Sequence, residues 1–362
     1  MKDSEAIFAA GASVPVDERS KSTARGEDIR VVRHPRCLLC GRVGKELYGE
    51  LTDWLFCAPG DWGLRHCEVC GLVWLDPQPA VEEIPKLYSK YYTHGNSASH
   101  VSFESLRQDI SRCVLAQMGY RIDSSPKWLP RLLARMRPFW RANSLDVMGL
   151  SPRAGATLLD VGCGSGTFIG KMRSLGWNVT GVDPDSLAVA YAKRQGFEVF
   201  HGTISDIPAD AHYDVITLSH VIEHVPDPVQ LLRECKSHLR DEDSRVVIAT
   251  PNIDSLGHRW FKRYWRGLEV PRHLLIFSPA ALRKCIVEAG LRVNTMRTET
   301  RLARMIYNPS VCARAGESEI GAKSNFAVAT KATAYLFQAL EDAWSCFRND
   351  VGEEIFCICR VP

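Results

Sequence analysis

The stretch TLLDVGCGSGTF, which begins at Thr157, constrains the fold of this chain more than any other. Residues 157–161 form a short apolar run of the kind found in buried parallel strands. Gly162, Gly164 and Gly166 follow, and the next residues, FIGKMRSLG, continue as a helix. A glycine turn between a strand and a helix lets a ligand approach the backbone at the helix N-terminus. The spacing is G-x-G-x-G, which differs from the G-x-G-x-x-G of dinucleotide-binding enzymes.

Four further strands are predicted after the glycine turn, with helices between them. The second strand ends at Asp183, in WNVTGVDPD, and the third ends near Asp206, in FEVFHGTISDIP. The fourth and fifth are YDVITLSHV and SRVVIATPN. Helices are predicted at residues 168–175, 185–195 and 228–239. Alternating strands and helices indicate an α/β fold with a parallel sheet covered on both faces.

The C-terminal part is predicted to complete this sheet. A sixth strand lies near 291–299, and EEIFCICRV is the seventh, after a helical insertion at about 300–350. A helix is predicted at 328–347. Its apolar face would consist of Leu336, Leu340, Trp344 and Phe347.

The order of these motifs resembles that of class I S-adenosylmethionine-dependent methyltransferases. The resemblance covers roughly residues 145–300. It depends on DVGCGSG, VDPD, SDIP, HVIEHVPDP and EVPRHLLIFSPAAL, which occur in this order. It implies a seven-stranded Rossmann-like sheet and S-adenosyl-L-methionine as the cofactor. In that family the glycine loop contacts the methionine end of the cofactor.

The resemblance also assigns the remaining cofactor contacts. Asp183 would hold the ribose, since an acid after the second strand can accept hydrogen bonds from its hydroxyls. Asp206 would lie by the adenine, although taken alone it is equally well explained as an ordinary loop carboxylate. The predicted cofactor-binding set is Asp160, Gly162, Gly164, Gly166, Asp183 and Asp206.

The stretch SHVIEHVPDP, residues 219–228, contains the H-x-x-E-H spacing of one zinc peptidase class. A zinc peptidase needs these histidines inside a helix, whereas here they follow a strand and precede Pro226 and Pro228. We therefore expect an acceptor-side role at the carboxyl end of the sheet. Ubiquinone-pathway O-methyltransferases resemble this stretch, but they carry a glutamate where this chain has His220. Those enzymes can recruit a divalent cation. Because this chain has His220 in place of the glutamate, a divalent cation is less expected here.

His220 is the first candidate for a general base. O-methylation requires removal of a proton from the acceptor hydroxyl, and histidine suits this task near neutral pH. The alternative is a packing or capping histidine. His273, in VPRHLLIF, is a second candidate base on the loop after the fifth strand, and His224 is expected to be structural.

Two C-x-x-C pairs predict a structural zinc site. CLLCG contains Cys37 and Cys40, and CEVCG contains Cys67 and Cys70. Each pair can direct both sulfurs to one point, and four thiolates suit tetrahedral zinc without leaving an open position for catalysis. Possible substitute ligands are Cys57, His34 and His66.

The composition indicates in which cellular compartment the protein is expected and which class of partner is disfavoured. The chain has 362 residues, a net charge of +3 and 13 cysteines, with no recognisable export signal. This favours a reducing cytoplasm, and residues 1–30 are expected to form a mobile tail. Residues 31–80 hold five basic and six acidic residues, and this net charge of −1 disfavours nucleic acid as a partner.

Two basic and aromatic stretches predict an anionic acceptor. HRWFKRYWRG covers 258–267, and KWLPRLLARMRPFWR covers 127–141. Each can be a solvated face over a core stripe, but together they suggest a nucleotide-linked or lipid-phosphate-linked acceptor. Any helix within 127–141 can also contact a membrane surface. Tyr91 or Tyr92 is a candidate contact for the amino-acid end of the cofactor, and aromatic packing is an equally good explanation of these residues.

The predicted layout is a tail (1–30), a zinc-ribbon-like domain (31–80), a helical cap (81–150) and a methyltransferase domain (151–362). It resembles bacterial methyltransferases of sugar and surface-polysaccharide pathways, including deoxysugar C-methyltransferases. The expected reaction is O-methylation of a sugar hydroxyl or C-methylation of a keto sugar, by in-line displacement in a closed pocket. The alternatives are an RNA methyltransferase with a zinc domain and a non-catalytic zinc-containing scaffold.

Overall fold

The computed structural model describes residues 29–88, 101–122, 128–316 and 328–362. Most of the predicted tail, Tyr91, Tyr92 and Lys127 lie outside the described residues. Among the described residues, no helix is long and apolar enough to cross a membrane.

A seven-stranded mixed sheet forms the centre of the molecule, and it confirms the predicted fold class. Its strand order is β12-β13-β10-β9-β6-β7-β8. Only β13 runs antiparallel to its neighbours, and the other six strands are parallel to one another. The strands are β6 (Thr157–Val161), β7 (Asn178–Asp183), β8 (Glu198–His201), β9 (Val215–Ser219), β10 (Arg245–Pro251), β12 (Arg292–Glu299) and β13 (Glu354–Arg360).

Helices cover this sheet, and apolar clusters fill both of its faces. The central strand β9 is buried over Val215–Leu218, as expected for a strand covered on two sides. The helices are α1 (Val101–Gln117), α2 (Trp128–Arg135), α3 (Arg137–Ser144), α4 (Thr167–Ser174), α5 (Ser186–Arg194), α6 (Pro228–Ser237), α7 (Leu256–Phe261), α8 (Pro279–Glu288), α9 (Ala303–Ala315) and α10 (Val328–Trp344).

Two sequence-based expectations about these elements are wrong. The third strand ends at His201, and Asp206 lies beyond it in a short 3₁₀ helix, Ile204–Asp206. The helix predicted over 328–347 ends at Trp344, so Phe347 lies beyond it and is 89% exposed, while Leu336 on the predicted apolar face is 60% exposed. Instead, Phe337 turns inward against the rings of neighbouring aromatic residues. The periodicity indicated a helix correctly, but the neighbours that select its buried face are distant in sequence.

The N-terminal cysteine-containing region is not self-contained. Its strands are β1 (Val31–Val32), β2 (Lys45–Leu51), β3 (Trp62–His66), β4 (Val73–Leu75) and β5 (Gln78–Pro79). A four-stranded sheet has the order β11-β4-β3-β2, and its edge strand β11 (Leu275–Ile276) comes from the loop that follows β10. One apolar cluster runs from Leu64 and Trp74 into the methyltransferase-like core.

The described parts of 81–150 are mainly helical. A 3₁₀ helix, Val81–Tyr88, is followed by α1, α2 and α3 and by a 3₁₀ turn at Leu145–Val147. The inner side of α2 packs on α1 through Ala134 and Val114. These helices adjoin the carboxyl edge of the large sheet, because Arg141 on α3 lies 3.4 Å from Glu299 at the end of β12.

Candidate active site and cysteine cluster

The three loop glycines have different local roles. All three have positive φ, at 69° for Gly162, 53° for Gly164 and 82° for Gly166. A Cβ at Gly162 would approach Val221 to 2.5 Å, and one at Gly166 would approach Phe197 to 2.6 Å. In the described part of the chain, a Cβ at Gly164 would meet open space. Gly162 and Gly166 are therefore required for packing, whereas Gly164 leaves room for a ligand next to the backbone.

Asp183, the predicted ribose contact, accepts hydrogen bonds that fix this loop. The backbone N–H of Gly164 donates to its Oδ2 (2.7 Å), and the N–H of Asp185 donates to its Oδ1 (2.8 Å). Burial raises the pKa of Asp183, and the two amide donors oppose that shift. Each carboxylate oxygen keeps a second lone pair that can accept from a ligand hydroxyl.

Asp160 lies at the end of β6, directly below the glycine loop. Its carboxyl group is buried and accepts a hydrogen bond from Thr217 Oγ1 (2.7 Å). Burial raises the pKa of Asp160 to about 7, and the nearby Asp183 adds to the shift. Burial therefore favours the protonated form of Asp160 more than that of an ordinary aspartate.

Asp206 uses its carboxylate to stabilise its own turn. Its Oδ2 accepts from the backbone N–H of Thr203 (2.7 Å) and from Thr203 Oγ1 (3.2 Å), as in a capping box. The Thr203 backbone bond is the main reason that the pKa of Asp206 is lowered. The predicted contact with adenine stays a prediction.

His220 occupies a strained position directly after β9. Its φ is 55°, a left-handed conformation that is uncommon for a residue with a side chain. Its Nε2 lies 2.9 Å from Glu354 Oε1, and its Nδ1 lies 3.2 Å from Glu223 Oε1. Both ring nitrogens therefore face carboxylates whose side chains are fully buried.

These contacts set the protonation state of His220. Burial by itself lowers the pKa of His220, but Glu223 and Glu354 outweigh it and raise the pKa to about 10. His220 is consequently an imidazolium at neutral pH. Glu354 also accepts from Arg301 Nε (2.9 Å) and Nη2 (3.1 Å), which extends the network. A general base must start neutral, so this raised pKa disfavours the predicted base role of His220, which stays a prediction.

Glu223, His224 and His273 form a second group beside His220. Their potential ligand atoms lie within 4.8 Å of one another. His224 Nδ1 lies 3.0 Å from the carbonyl of Arg272, and His273 Nδ1 lies 2.8 Å from that of Gly267. Because carbonyls only accept, the Nδ1–H of His273 donates to Gly267 and its Nε2 keeps a lone pair, whereas His224 Nδ1 also lies 3.0 Å from the hydroxyl of Tyr88. This group can hold a cation.

His273 is neutral and enclosed. Its side chain is buried, and burial lowers its pKa to about 4. Its ring packs against that of His224 at 4.8 Å in a T-shaped arrangement. A neutral Nε2 can accept a proton, so the state of His273 is compatible with the second predicted base.

A buried ion pair joins this loop to the cysteine-containing region. Arg272 donates to both carboxylate oxygens of Asp53, at 2.8 and 2.9 Å, and neither side chain is exposed to solvent. The guanidinium stacks over the ring of Phe56 at 4.3 Å. The Arg272 carbonyl is the acceptor for His224. The N-terminal region therefore helps to fix the position of the histidine group.

The four predicted zinc ligands come together as expected from their spacing. Sulfur–sulfur distances are 3.5 Å for Cys37–Cys70, 3.2 Å for Cys40–Cys67 and 3.9 Å for Cys40–Cys70. Tetrahedral zinc with bonds of about 2.3 Å requires sulfur–sulfur distances of about 3.8 Å. The cluster can therefore hold zinc after small adjustments.

The two cysteine turns have the same backbone pattern. Gly41 N–H donates to Cys37 O, and Gly71 N–H donates to Cys67 O, both at 2.8 Å. Both glycines have positive φ, at 67° and 77°. Among the described residues, the cysteine cluster comprises these two pairs alone. The substitutes considered from sequence, Cys57, His34 and His66, are outside it.

The basic residues of 258–267 mostly contact protein groups. Arg259 pairs with Asp350 (3.3 Å), Arg263 donates to the carbonyl of Gly49 (2.6 Å) and Arg266 pairs with Glu269. His258 faces Tyr48 instead of a ligand site. This segment therefore attaches the N-terminal region to the core through Arg263, and two of its arginines, Arg259 and Arg266, are paired with carboxylates.

Sequence reasoning missed four residues of the site. Glu354 and Arg301 lie in the C-terminal part, and Asp53 lies near the cysteines. Arg272 directly precedes the predicted base His273, and its type alone predicts no role in the site. An acid at the start of a predicted strand, and an arginine beside a candidate base, were the available signals. Neither signal identifies a partner more than a hundred residues away.

The chain is similar to known methyltransferases. A family described as "Methyltransferase domain" matches residues 127–295. The ubiquinone biosynthesis O-methyltransferase of Marinobacter nauticus is 37% identical over 198 residues, which cover 49% of this chain and 79% of that protein. The Escherichia coli protein of the same name is 30% identical over 193 residues, again 49% and 79%. Two further relatives of that name align over only 52% and 55% of their own length.

Similarity to solved structures is weaker. A methyltransferase from Archaeoglobus fulgidus, described as SAM dependent, is 21% identical with a TM-score of 0.38. It covers 57% of this chain and 86% of its own. The assignment therefore depends on the sequence relatives and on the seven-stranded sheet with its glycine loop. The chain belongs to the class I S-adenosylmethionine-dependent methyltransferases.

Proposed function

We propose that this enzyme transfers the methyl group of S-adenosylmethionine to a hydroxyl oxygen of a small-molecule acceptor. The observation that carries the proposal is the glycine loop held by Asp183 at the same sheet edge as His220. Cofactor and acceptor would then meet at the carboxyl ends of β6, β7 and β9. The name O-methyltransferase, shared by the relatives, supports oxygen as the methylated atom.

The cofactor would be held mainly by the backbone around Gly164 and by Asp183. Bound S-adenosylmethionine supplies an electrophilic methyl group on a sulfonium. The residues of this chain would align the acceptor with that methyl, which is the main source of acceleration for such a displacement. Asp160 lies behind the loop and would support its conformation.

We propose an electrostatic and positioning role for His220. As an imidazolium it keeps Glu223 and Glu354 ionised and fixes the segment after β9. Proton removal from the acceptor would then fall to a neutral group, and His273 is the candidate. If His220 acts as a cation, activity declines as pH rises towards 10. If it is the base, activity declines as pH falls below the histidine range.

We propose structural zinc in the cysteine cluster. Four thiolate ligands leave no open position, so the metal would hold the two turns together and would not act on the substrate. This proposal also explains why the small region around β2–β4 keeps its shape with few strands of its own.

The acceptor is proposed to be anionic, as a nucleotide-linked or lipid-phosphate-linked glycan would be. A sugar hydroxyl is one such oxygen, and a keto-sugar carbon is the alternative methylated atom. The exposed Arg131 and Arg135 support an anionic acceptor, whereas the paired arginines of 258–267 do not. An RNA acceptor has no specific observation in its favour.

Calorimetry with S-adenosylmethionine tests the first step. The wild type should bind, and Asp183→Ala should weaken binding by about 2–3 kcal/mol, as for hydrogen bonds to a charged group. Asp227→Ala is the matched control, because Asp227 also accepts a backbone N–H but at the start of α6. Wild type that fails to bind the cofactor would refute the proposal.

The second step is methyl transfer to a panel of hydroxylated aromatic, sugar and nucleotide-sugar compounds. Release of S-adenosylhomocysteine reports turnover, and the ¹³C shift of a labelled methyl group distinguishes an O-methyl from a C-methyl product. A C-methyl product would refute the oxygen assignment while leaving the methyltransferase assignment intact.

A further inference from the structure

The helices α2 and α3 expose an unusual number of large apolar side chains. Trp128 is 73% exposed and Leu132 is 54% exposed, although residues of these types are normally buried. We refer to this set as the α2–α3 surface. It consists of Trp128, Leu129, Leu132, Met136, Phe139 and Trp140.

The exposure follows from the way α2 packs. Its inner side, Ala134 with Leu133, contacts the apolar cluster on α1. Trp128 and Leu132 lie one helical turn apart on the opposite side. In the described part of the chain, that outer side is open to solvent. The helix α2 therefore has an apolar inner side that packs on α1, and it also exposes large apolar side chains to solvent.

The charged residues within the segment that forms this surface all have one sign. Residues 127–141 contain five arginines or lysines and no acid. Arg131 and Arg135 are exposed on α2, on the same side as Trp128 and Leu132. Aromatic and aliphatic side chains interleaved with arginines are typical of helices that lie in the interface of an anionic bilayer.

The exposed face of α10 provides a contrast within the same molecule. Leu336, Leu340 and Trp344 are more than half exposed there. Residues 328–347, however, contain one lysine and two acids, so the segment has a net charge of −1. Exposed apolar area alone therefore does not distinguish the two faces, but charge does.

We propose that the α2–α3 surface docks the enzyme on an anionic lipid bilayer. Trp128, Leu132 and the aromatic residues of α3 would enter the interface between headgroups and acyl chains. The arginines would contact lipid phosphates, and each contributes about fivefold to the partition coefficient (about 1 kcal/mol).

The α2–α3 surface lies near the sheet edge that carries His220. Arg141 on α3 lies 3.4 Å from Glu299, which is opposite Glu354 in the sheet. Glu354 in turn holds His220. Docking through α2 and α3 would therefore bring the sheet edge that carries the proposed acceptor side close to the bilayer. The inference adds to the proposed function, and vesicle binding tests it without any methyl transfer.

The test is co-sedimentation of the full-length protein with vesicles of phosphatidylcholine alone or with 30% phosphatidylglycerol, about the proportion that gives a strongly negative surface. The wild type should bind the anionic vesicles and release as salt rises, because screening weakens the arginine contacts. Trp128→Ala/Leu132→Ala should reduce partitioning at least tenfold. Arg131→Gln/Arg135→Gln should reduce it about 25-fold on anionic vesicles.

Leu336→Ala/Trp344→Ala is the matched control, since it removes the same residue types from the exposed face of α10. It should bind as the wild type does. Unchanged thermal melting and S-adenosylmethionine binding would show that each variant is folded. The proposal is overturned if the wild type does not bind anionic vesicles in low salt, or if the control loses binding equally. It is also overturned if light scattering shows a dimer that Trp128→Ala/Leu132→Ala dissociates, because the surface would then be a subunit interface.

Discussion

Replacing the buried Asp53 with alanine should strongly destabilise the protein. The change leaves the guanidinium of Arg272 buried, with both of its Asp53 hydrogen bonds lost. Glu269 remains as a partner at 3.2 Å, so the charge keeps one ion pair. Three backbone N–H groups, of residues 55, 56 and 58, also lose their acceptor.

The magnitude follows from these contacts. Removing one partner of a fully buried ion pair typically costs about 3–5 kcal/mol. The loss of the backbone contacts resembles the loss of a helix cap and adds about 1 kcal/mol. Retention of Glu269 favours the lower end, so we expect a loss of about 3–4 kcal/mol. This is a large part of the 5–15 kcal/mol that stabilises a typical domain.

Urea unfolding followed by tryptophan fluorescence measures this loss. Asp61→Ala is the matched control, since Asp61 is an exposed aspartate in the same region and its removal should change stability by less than about 0.5 kcal/mol. Asp53→Leu/Arg272→Met should recover much of the loss, because it removes both charges. A loss below about 1 kcal/mol for Asp53→Ala would refute the reasoning, since Arg272 would then have to be hydrated or paired elsewhere.

Three further predictions concern ionisation and metal. Asp160 has a raised pKa of about 7, so its unfavourable ionisation destabilises the folded state as pH rises from about 4 to 7. Asp160→Asn should therefore raise the melting temperature at pH 8 and leave it nearly unchanged at pH 4. A change in melting temperature that is the same at both pH values would contradict the assignment. His220 has a raised pKa of about 10, so its stabilising contribution is complete below pH 6.5 and is lost as pH rises towards 10. His220→Gln should cost about 1–2 kcal/mol at pH 6, after allowance for its partial exposure, and less at pH 10; a cost that does not vary with pH would mean that His220 is neutral. Elemental analysis should find one zinc per chain, and Cys37→Ser/Cys67→Ser should abolish it, whereas zinc retained in that variant would place the metal elsewhere.

The large sheet was predictable because its signals are local. The run 157–161, the glycine turn and the following helix are adjacent in the chain, and each step depends on short-range backbone geometry. The cysteine turns are equally local. Each turn is defined by the two residues that separate its cysteines and by the glycine that directly follows the second cysteine. Both features were found without knowledge of any distant partner.

The roles of individual residues depended on contacts between distant segments. The base role of His220 stays a prediction: its type suits the reaction, but the pKa of its ring is raised by Glu223 and by Glu354, and Glu354 is 134 residues away in the chain. The apolar residues of α10 are visible in the sequence, but which of them is buried depends on distant neighbours, since Phe337 packs against Phe261 and Tyr307.

The sequence by itself determined the class of fold, the position of the glycine loop and the two cysteine turns, because short-range geometry and periodicity encode them. Two features depend on contacts formed when the chain folds: β11 completes the N-terminal sheet, and Asp53 neutralises Arg272, which is 219 residues further along the chain. The tertiary structure also decided the ionisation of His220 and Asp160. Such properties depend on which charges and apolar groups surround a side chain, and those neighbours are specified only when the whole chain has folded.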